Sequence, residues 1–140
     1  MNNDPNKSVV VLLGEPTLVQ QKLNIWTDTL LPNGKNNTNY VVFDAAEDDI
    51  DSMITEAMTV SMFSAKKVIV IRGVERSDKQ LFVRMVDVVN TPNSSVTTIL
   101  VGTGWPNKAG DKKSVSAFQR VAKKKAVIEK IIAKRFNANQ

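Results

Sequence analysis

Gly14 lies between an apolar run and a helix-like pattern, the place where a glycine-rich turn binds nucleotide phosphates in many α/β proteins. The turn reads Leu12-Leu13-Gly14-Glu15-Pro16-Thr17. A phosphate loop needs several backbone N–H groups that face one way and a lysine for the terminal phosphates. This turn has one glycine, a proline without an N–H and a carboxylate that repels anions, and the motif G-x-x-x-x-G-K-S/T is absent from the sequence. We therefore expect no nucleotide cofactor here and interpret Pro16 as the first residue of a helix.

A run of acidic residues, Glu47-Asp48-Asp49-Ile50-Asp51, is a candidate Mg²⁺ or Ca²⁺ site because both ions prefer carboxylate oxygens. The run lacks the D-x-D-x-D-G spacing of a calcium loop. Acidic residues are also typical of a helix start, where Asp48 or Asp49 can cap free N–H groups and the helix dipole stabilises negative charge. We therefore predict a helix cap and no metal site.

Whole classes of chemistry are excluded by composition. The chain contains no cysteine and no histidine, which removes thiol nucleophiles, imidazole and thiolate metal ligands, Ser-His-Asp catalysis and disulfides. No apolar stretch approaches the roughly 20 residues of a membrane-spanning helix, and the polar start is not followed by a signal-peptide core. We expect a cytoplasmic, non-redox protein without contact with a membrane, although a catalytic pair of carboxylates stays open on the residues alone.

Met62 and Phe63 are two adjacent large apolar side chains in a connection where polar turn residues are usual. The helical phase turns Met58 inward at the end of the preceding helix but does not account for these two. They either fold back onto the core, as apolar loop residues often do, or protrude as a plug for a partner's hydrophobic pocket. The residues alone leave both interpretations open.

Charge is unevenly distributed along the chain, whose net charge is +5. Residues 1–60 carry three lysines against nine carboxylates, whereas residues 61–140 carry 16 basic groups against five carboxylates. The densest basic stretch, from Lys108 to Arg135, contains ten Lys or Arg and is either a solvated helix face or a contact for the DNA backbone. The candidate DNA contacts are Lys112, Lys113, Lys123, Lys124 and Lys125, with Arg120 beside them.

Five short apolar runs alternate with helix-like patterns, which predicts a parallel sheet built from βαβ units. The runs are continuous, as in strands that are covered on both faces. They are Val9–Leu13, Val41–Phe43, Val68–Ile71, Thr97–Val101 and Ala126–Ile128. We predict a three-layer α/β/α domain with a five-stranded, mostly parallel sheet.

The segments between the predicted strands follow the helix period. Their predicted starts are Pro16, Asp48 or Asp49, Ser77 or Asp78, and Ser114. The first helix ends before Pro32, the third ends before Thr91-Pro92, and the fourth is a shorter helix. With 140 residues and 42% hydrophobic composition, residues 1–140 are expected to form one domain. Residues 1–7 and 134–140 are expected to be flexible, and the polar end without a clear stop is expected where a longer chain is cut between domains.

Four segments, in this order, resemble the N-terminal domain of the delta subunit of the bacterial DNA polymerase III clamp loader. Val10–Leu18 is similar to the family's strand and Gly-Glu/Asp-x-x-Leu turn, and Phe43–Asp49 to its Phe-Asp-x-x-Glu/Asp segment. Ser61–Ile71 resembles its Leu-Phe-x-x-Arg/Lys-x segment before an apolar strand. Pro92–Val101 resembles its Pro-x-x-x-x-x-x-Leu-Val strand. The resemblance runs from about residue 9 to about residue 128.

This resemblance implies the fold of a clamp-loader ATPase, a P-loop NTPase-like domain, without a working phosphate loop. It implies that Met62 and Phe63 insert into a hydrophobic pocket of the ring-shaped sliding clamp and help to open the ring, with methionine in place of the family's usual leucine. The flanking positions are Val60, Ser61, Lys66 and Lys67. It also implies the other clamp-loader subunits as partners of the full-length protein, a non-catalytic role, and a place at the bacterial nucleoid and replisome.

Two other classes of function stay open on the residues alone. One is a nucleotide-dependent α/β enzyme with an unorthodox phosphate loop, at Gly14 or at Gly102-Thr103-Gly104. The other is a nucleic-acid-binding domain that uses the basic stretch.

Overall fold

The computed structural model describes residues 7–60, 66–107 and 111–131, with only the backbone of Lys124 and Lys130. The strands are β1 (Val9–Gly14), β2 (Tyr40–Asp44), β3 (Lys67–Arg72), β4 (Val96–Gly102) and β5 (Val127–Ile131). The helices are α1 (Pro16–Leu30), α2 (Ile50–Met58), α3 (Lys79–Asn90) and α4 (Asp111–Lys125), and a short 3₁₀ turn, Val74–Arg76, follows β3. The predicted alternation of strands and helices is confirmed.

The five strands form one sheet in the order β2-β3-β4-β1-β5, and each of these pairings is parallel. Next to the edge strand β5, Val10 of β1 lies in register between Ile99 of β4 and Val127 of β5. Helix α1 packs on one face of the sheet, while α2, α3 and α4 pack on the other. The predicted three-layer α/β/α architecture with a parallel sheet is therefore confirmed.

Successive residues of β1 alternate between two separate cores. Val9 and Val11 pack with α2, α3 and α4, whereas Val10 and Leu12 pack with α1 around Trp26, whose side chain is 1% exposed. Because both faces of the strand are covered, neither set of side chains is polar. This double burial explains why the strands are continuous apolar runs in the sequence.

The helix starts agree with the predictions at three of four positions. Pro16 is the first residue of α1, and Asp49 and Asp78 are the N-caps of α2 and α3, where each carboxylate accepts from a backbone N–H of the first turn. The start at Ser114 was wrong, because α4 begins at Asp111 and is as long as α1, with 15 residues. The first turn of α4 is lysine-rich and lacks the apolar spacing by which a helix is recognised in a sequence.

Two smaller predictions were also corrected. Met58, predicted to face inward, is 36% exposed at the C-terminal end of α2, because it lies one residue beyond Ala57, the last buried position of the helix. Strand β5 runs from Val127 to Ile131, farther than the apolar run indicates, because pairing with β1 continues to Gly14. The polar residues Glu129 and Lys130 conceal this extension in the sequence.

Candidate functional site

The connection from β1 to α1 consists of a single residue, Glu15, between Gly14 and Pro16. Gly14 has a positive φ of 145°, and a Cβ atom at this position would overlap the carbonyl group of Ile131 at the end of β5. The N–H of Glu15 donates to that same carbonyl oxygen, at 3.1 Å. The turn is thus fastened to the edge strand and is much shorter than the loop that wraps a phosphate in a P-loop protein.

The Glu15 carboxylate occupies the N-terminal end of α1. It accepts hydrogen bonds from the N–H groups of Thr17, at 3.1 Å, and Leu18, at 3.0 Å. The hydrogen bond from the Thr17 N–H has the largest effect, followed by that from Leu18, and together they hold the pKa of Glu15 below its ordinary value. Pro16 has no N–H to offer. An anion at this helix end would have to displace Glu15, so the chain supplies its own carboxylate where a P-loop protein binds phosphate.

A cleft of about 280 Å³ lies at the carboxyl ends of the central strands. Adjacent strands β1 and β4 send their following helices to opposite faces of the sheet, and such a switch point opens a crevice where α/β proteins bind ligands. Arg72 crosses the cleft and donates to Gln20, at 2.9 Å. Glu75 accepts from the N–H of Thr103, at 3.1 Å, within the Gly102-Thr103-Gly104 turn. Both turns that were candidate phosphate loops therefore have a carboxylate of this chain on their N–H groups.

Ser61, Met62 and Phe63 lie outside the described residues, in the connection from α2 to β3. This connection enters the sheet at the amino end of β3, whereas the cleft lies at the carboxyl ends of the strands. Val60, which precedes the connection, is 67% exposed, and Met58 adds further exposed apolar surface. Exposed apolar side chains are therefore present at the start of the connection.

The two flanking lysines have partners within the chain. Lys66 is half-buried, and its ammonium group donates to the carbonyl oxygen of Ser94, at 3.1 Å. Burial lowers the pKa of Lys66 below its ordinary value. Lys67 forms an ion pair with Glu56 of α2. Both lysines thus tie the amino end of β3 to neighbouring elements.

The family model for the delta subunit of DNA polymerase III matches residues 11–131. This chain belongs to the DNA polymerase III delta subunit family. No curated protein matches the chain in sequence.

Two solved structures share the fold of this delta-family chain. The Bacillus subtilis DNA clamp loader delta protein has a TM-score of 0.67 with 18% sequence identity over 89% of this chain. A DNA polymerase III gamma subunit-related protein from Thermotoga maritima has a TM-score of 0.58 with 11% identity over 93% of this chain. The chain covers 38% of the first structure and 43% of the second, so it spans about two fifths of their length. The domain therefore has a clamp-loader ATPase-like fold.

The basic residues of α4 form an outward-facing surface. The side chains of Lys112, Lys113, Arg120 and Lys123 are exposed and form no ion pair with another described residue. Lys125 is also exposed, but its ammonium group donates to Asn90 of α3, at 3.0 Å. Lys124 is described by its backbone alone. We call the first four side chains the α4 basic face.

The acidic run around α2 is used within the fold. Asp49 caps α2, and Asp51 forms an ion pair with Arg84 of α3. Over residues 7–60, 66–107 and 111–131, no group of three or more acidic residues is arranged to hold a metal ion. In the same part of the chain, no helix has the length and apolar character needed to cross a membrane.

The sequence patterns missed two polar residues that organise this end of the fold. Glu75 reaches the N–H of Thr103, 28 residues later, and Asn93 reaches the end of α2, 34 to 36 residues earlier. Neither residue is a specified position of a motif, since Asn93 occupies an unspecified position of the Pro92–Val101 segment. An asparagine beside Pro92 is a weak sequence signal for a buried contact, because asparagine is also common in exposed turns.

Proposed function

We propose that this chain is the clamp-binding N-terminal domain of a clamp-loader delta subunit that acts in the bacterial cytoplasm. In this proposal Met62 and Phe63 insert into a hydrophobic pocket of the sliding clamp. The observation that carries it is the family match, because residues 11–131 include this pair and both of its flanks. Support also comes from the exposed Val60 and Met58 beside it.

The energetics of such a contact are favourable. Transfer of a methionine or phenylalanine side chain into an apolar pocket is worth about 2 kcal/mol, which corresponds to roughly a thirtyfold gain in affinity for each residue. A domain that binds one curvature of the clamp more tightly shifts the ring toward that curvature by the difference in affinity. In this proposal the pair therefore provides the binding energy that shifts the ring toward its open form.

A non-catalytic role in the loader is part of the proposal. Glu15 and Glu75 accept from the N–H groups that a nucleotide phosphate would need, at both turns of the cleft. A like charge at each turn also repels the phosphate. We therefore propose that other subunits of the loader supply ATP hydrolysis, while this domain supplies contact with the clamp.

The direct test is a titration of the chain into the cognate sliding clamp. The double variant Met62→Ala/Phe63→Ala is expected to weaken binding by about three orders of magnitude. The matched control is Ile25→Ala/Val83→Ala, which removes two exposed apolar side chains from α1 and α3, where they are 50% and 45% exposed. Circular dichroism and thermal unfolding verify the fold of each variant. Wild-type affinity of the first variant would overturn the proposal.

A second candidate function is weak, non-specific DNA contact through the α4 basic face. It is favoured by the four cationic side chains that are exposed without an ion-pair partner among the described residues. Lys112 and Lys113 also lie in the first turn of α4, where the helix dipole disfavours positive charge. Their position gives no local benefit to the helix, so contact with an external anion is a reasonable role for them.

A further inference from the structure

Asn93 is a buried polar residue that binds the end of another element. It lies between α3 and β4, is 7% exposed, and its amide nitrogen donates to the carbonyl oxygens of Ala57, at 3.2 Å, and Thr59, at 3.0 Å. Its amide oxygen accepts from the N–H of Ser95, at 2.9 Å. Both donors and one acceptor position of the side chain are thus directed at backbone groups.

The carbonyl groups at the end of α2 need partners from outside the helix, because the last turn of a helix has no N–H groups above it. Asn93 supplies partners for the carbonyls of Ala57 and Thr59. Thr59 itself donates its N–H to Glu56, at 3.4 Å, and its hydroxyl group to Thr55, at 2.6 Å. The chain therefore leaves α2 in a direction fixed by four hydrogen bonds.

The same short segment also holds the chain where it enters β3. The carbonyl of Ser94 accepts from the ammonium group of Lys66, at 3.1 Å, and the carbonyl of Ser95 accepts from the N–H of Lys67, at 2.9 Å. Residues 93–95, which we call the anchor segment, thus bind the chain immediately before and immediately after residues 61–65. Nothing in the sequence pattern links these three segments.

We propose that Asn93 is a positioning residue for clamp binding. This inference rests on the proposed function of Met62 and Phe63. Asn93 fixes the exit from α2 against the anchor segment, which also fixes the entry to β3. It thereby holds the described residues on either side of residues 61–65 at a constant separation. A connection with fixed ends loses less conformational entropy when its side chains enter a pocket. The clamp affinity of the domain therefore depends on a residue that does not touch the clamp.

The test compares Asn93→Ala and Asn93→Asp with Ser77→Ala in the same titration into the sliding clamp. Asn93→Asp keeps the size of the side chain and the acceptor for Ser95 but replaces the two donors by an oxygen that repels both carbonyls. Each Asn93 variant is expected to weaken clamp binding about tenfold. Ser77 is fully buried and donates to the carbonyl of Val74, at 2.8 Å. It lies beyond the carboxyl end of β3, whereas Asn93 acts near the amino end of that strand. The alanine variant of Ser77 loses a comparable hydrogen bond and is expected to bind as the wild type does.

A double-mutant cycle with Phe63→Ala separates positioning from a general loss of stability. If Asn93 acts through the connection, the Asn93→Ala effect shrinks from about tenfold to under threefold once Phe63 is removed. An equal effect in both backgrounds overturns the inference, and so does wild-type affinity of Asn93→Asp. Hydrogen exchange gives a readout without binding: amides of residues 58–67 are expected to exchange faster in Asn93→Asp but not in Ser77→Ala. Unchanged exchange also overturns it.

The proposed function and this inference fail in different ways. If Met62→Ala/Phe63→Ala binds the clamp normally, the proposed insertion of Met62 and Phe63 is wrong, whatever the effect of the Asn93 variants. If that variant loses binding while both Asn93 variants bind normally, only the role of Asn93 is wrong.

Discussion

The Glu15 carboxylate of this chain accepts a hydrogen bond from the backbone N–H of Leu18, at 3.0 Å, and thereby closes the N-terminal end of α1. Helix N-termini in P-loop proteins leave such N–H groups for phosphate. In this chain the carboxylate of Glu15, the residue immediately before α1, occupies that place. Glu15 is also the only residue between β1 and α1. The same contact both stabilises the helix and removes an anion site.

Replacement of Glu15 by glutamine is expected to lower stability in a pH-dependent way. Hydrogen bonds from Thr17 and Leu18 depress the pKa of Glu15 below its ordinary value of 4.5, so the carboxylate is stabilised more in the folded state than in the unfolded state. This contribution is complete above the ordinary pKa and is lost as the pH falls through the depressed value. Thermal unfolding of the wild type and Glu15→Gln from pH 3 to 7 should show a difference that is constant near neutrality and narrows below about pH 4.5. A difference that widens in acid would contradict this assignment.

Substitution of Gly14 is expected to be severely destabilising, whereas substitution of Gly104 is expected to be tolerated. Alanine at Gly14 would adopt a positive φ and place its Cβ against the carbonyl of Ile131, which together cost at least about 2 kcal/mol. A Cβ at Gly104 meets nothing within 4 Å. Urea unfolding of both alanine variants measures the difference, and equal midpoints would disprove the close approach between the turn and β5.

Much of the fold could be predicted from sequence because its strands are buried on both faces and its helices keep strict apolar spacing. Prediction failed where that signal is weak or non-local. The start of α4 is lysine-rich, and Glu129 and Lys130 interrupt the apolar run of β5 although β1 continues to pair with them. The acidic character of Glu15 was visible, but its use as a helix cap depends on backbone geometry. The contacts of Asn93 join residues 34 to 36 positions apart, a distance over which a single sequence gives no pairing information.

Phe118 is expected to contribute strongly to stability because it joins α4, α3 and the connection after β4 in one aromatic cluster. Its ring meets Phe82 of α3 edge to face, with centroids 5.1 Å apart, and lies 6.1 Å from the ring of Trp105. Phe118→Ala should lower the free energy of unfolding by about 3–5 kcal/mol. It should also shift the fluorescence of Trp105 to longer wavelength, since the half-buried indole loses a covering ring. Val83→Ala, on the exposed side of α3, should change neither quantity.

The α4 basic face leads to a prediction about the salt dependence of DNA binding. Each phosphate contact adds about 0.9 to the slope of log K against log salt concentration. If Lys112 and Lys113 contact phosphates, Lys112→Gln/Lys113→Gln should reduce this slope by about 1.8 and weaken binding equally on unrelated DNA sequences. Fluorescence anisotropy with labelled duplexes at several salt concentrations measures both quantities.

The matched control for this pair is Lys35→Gln/Lys79→Gln, which removes the same charge from exposed positions outside α4. A general effect of net charge would lower the slope by the same amount in both variants, and that result would contradict a localised contact. The α4 variant should also be at least as stable as the wild type, because removing positive charge from the first turn relieves repulsion by the helix dipole. A loss of affinity with retained or increased thermal stability would therefore assign the two lysines to DNA contact and not to the fold.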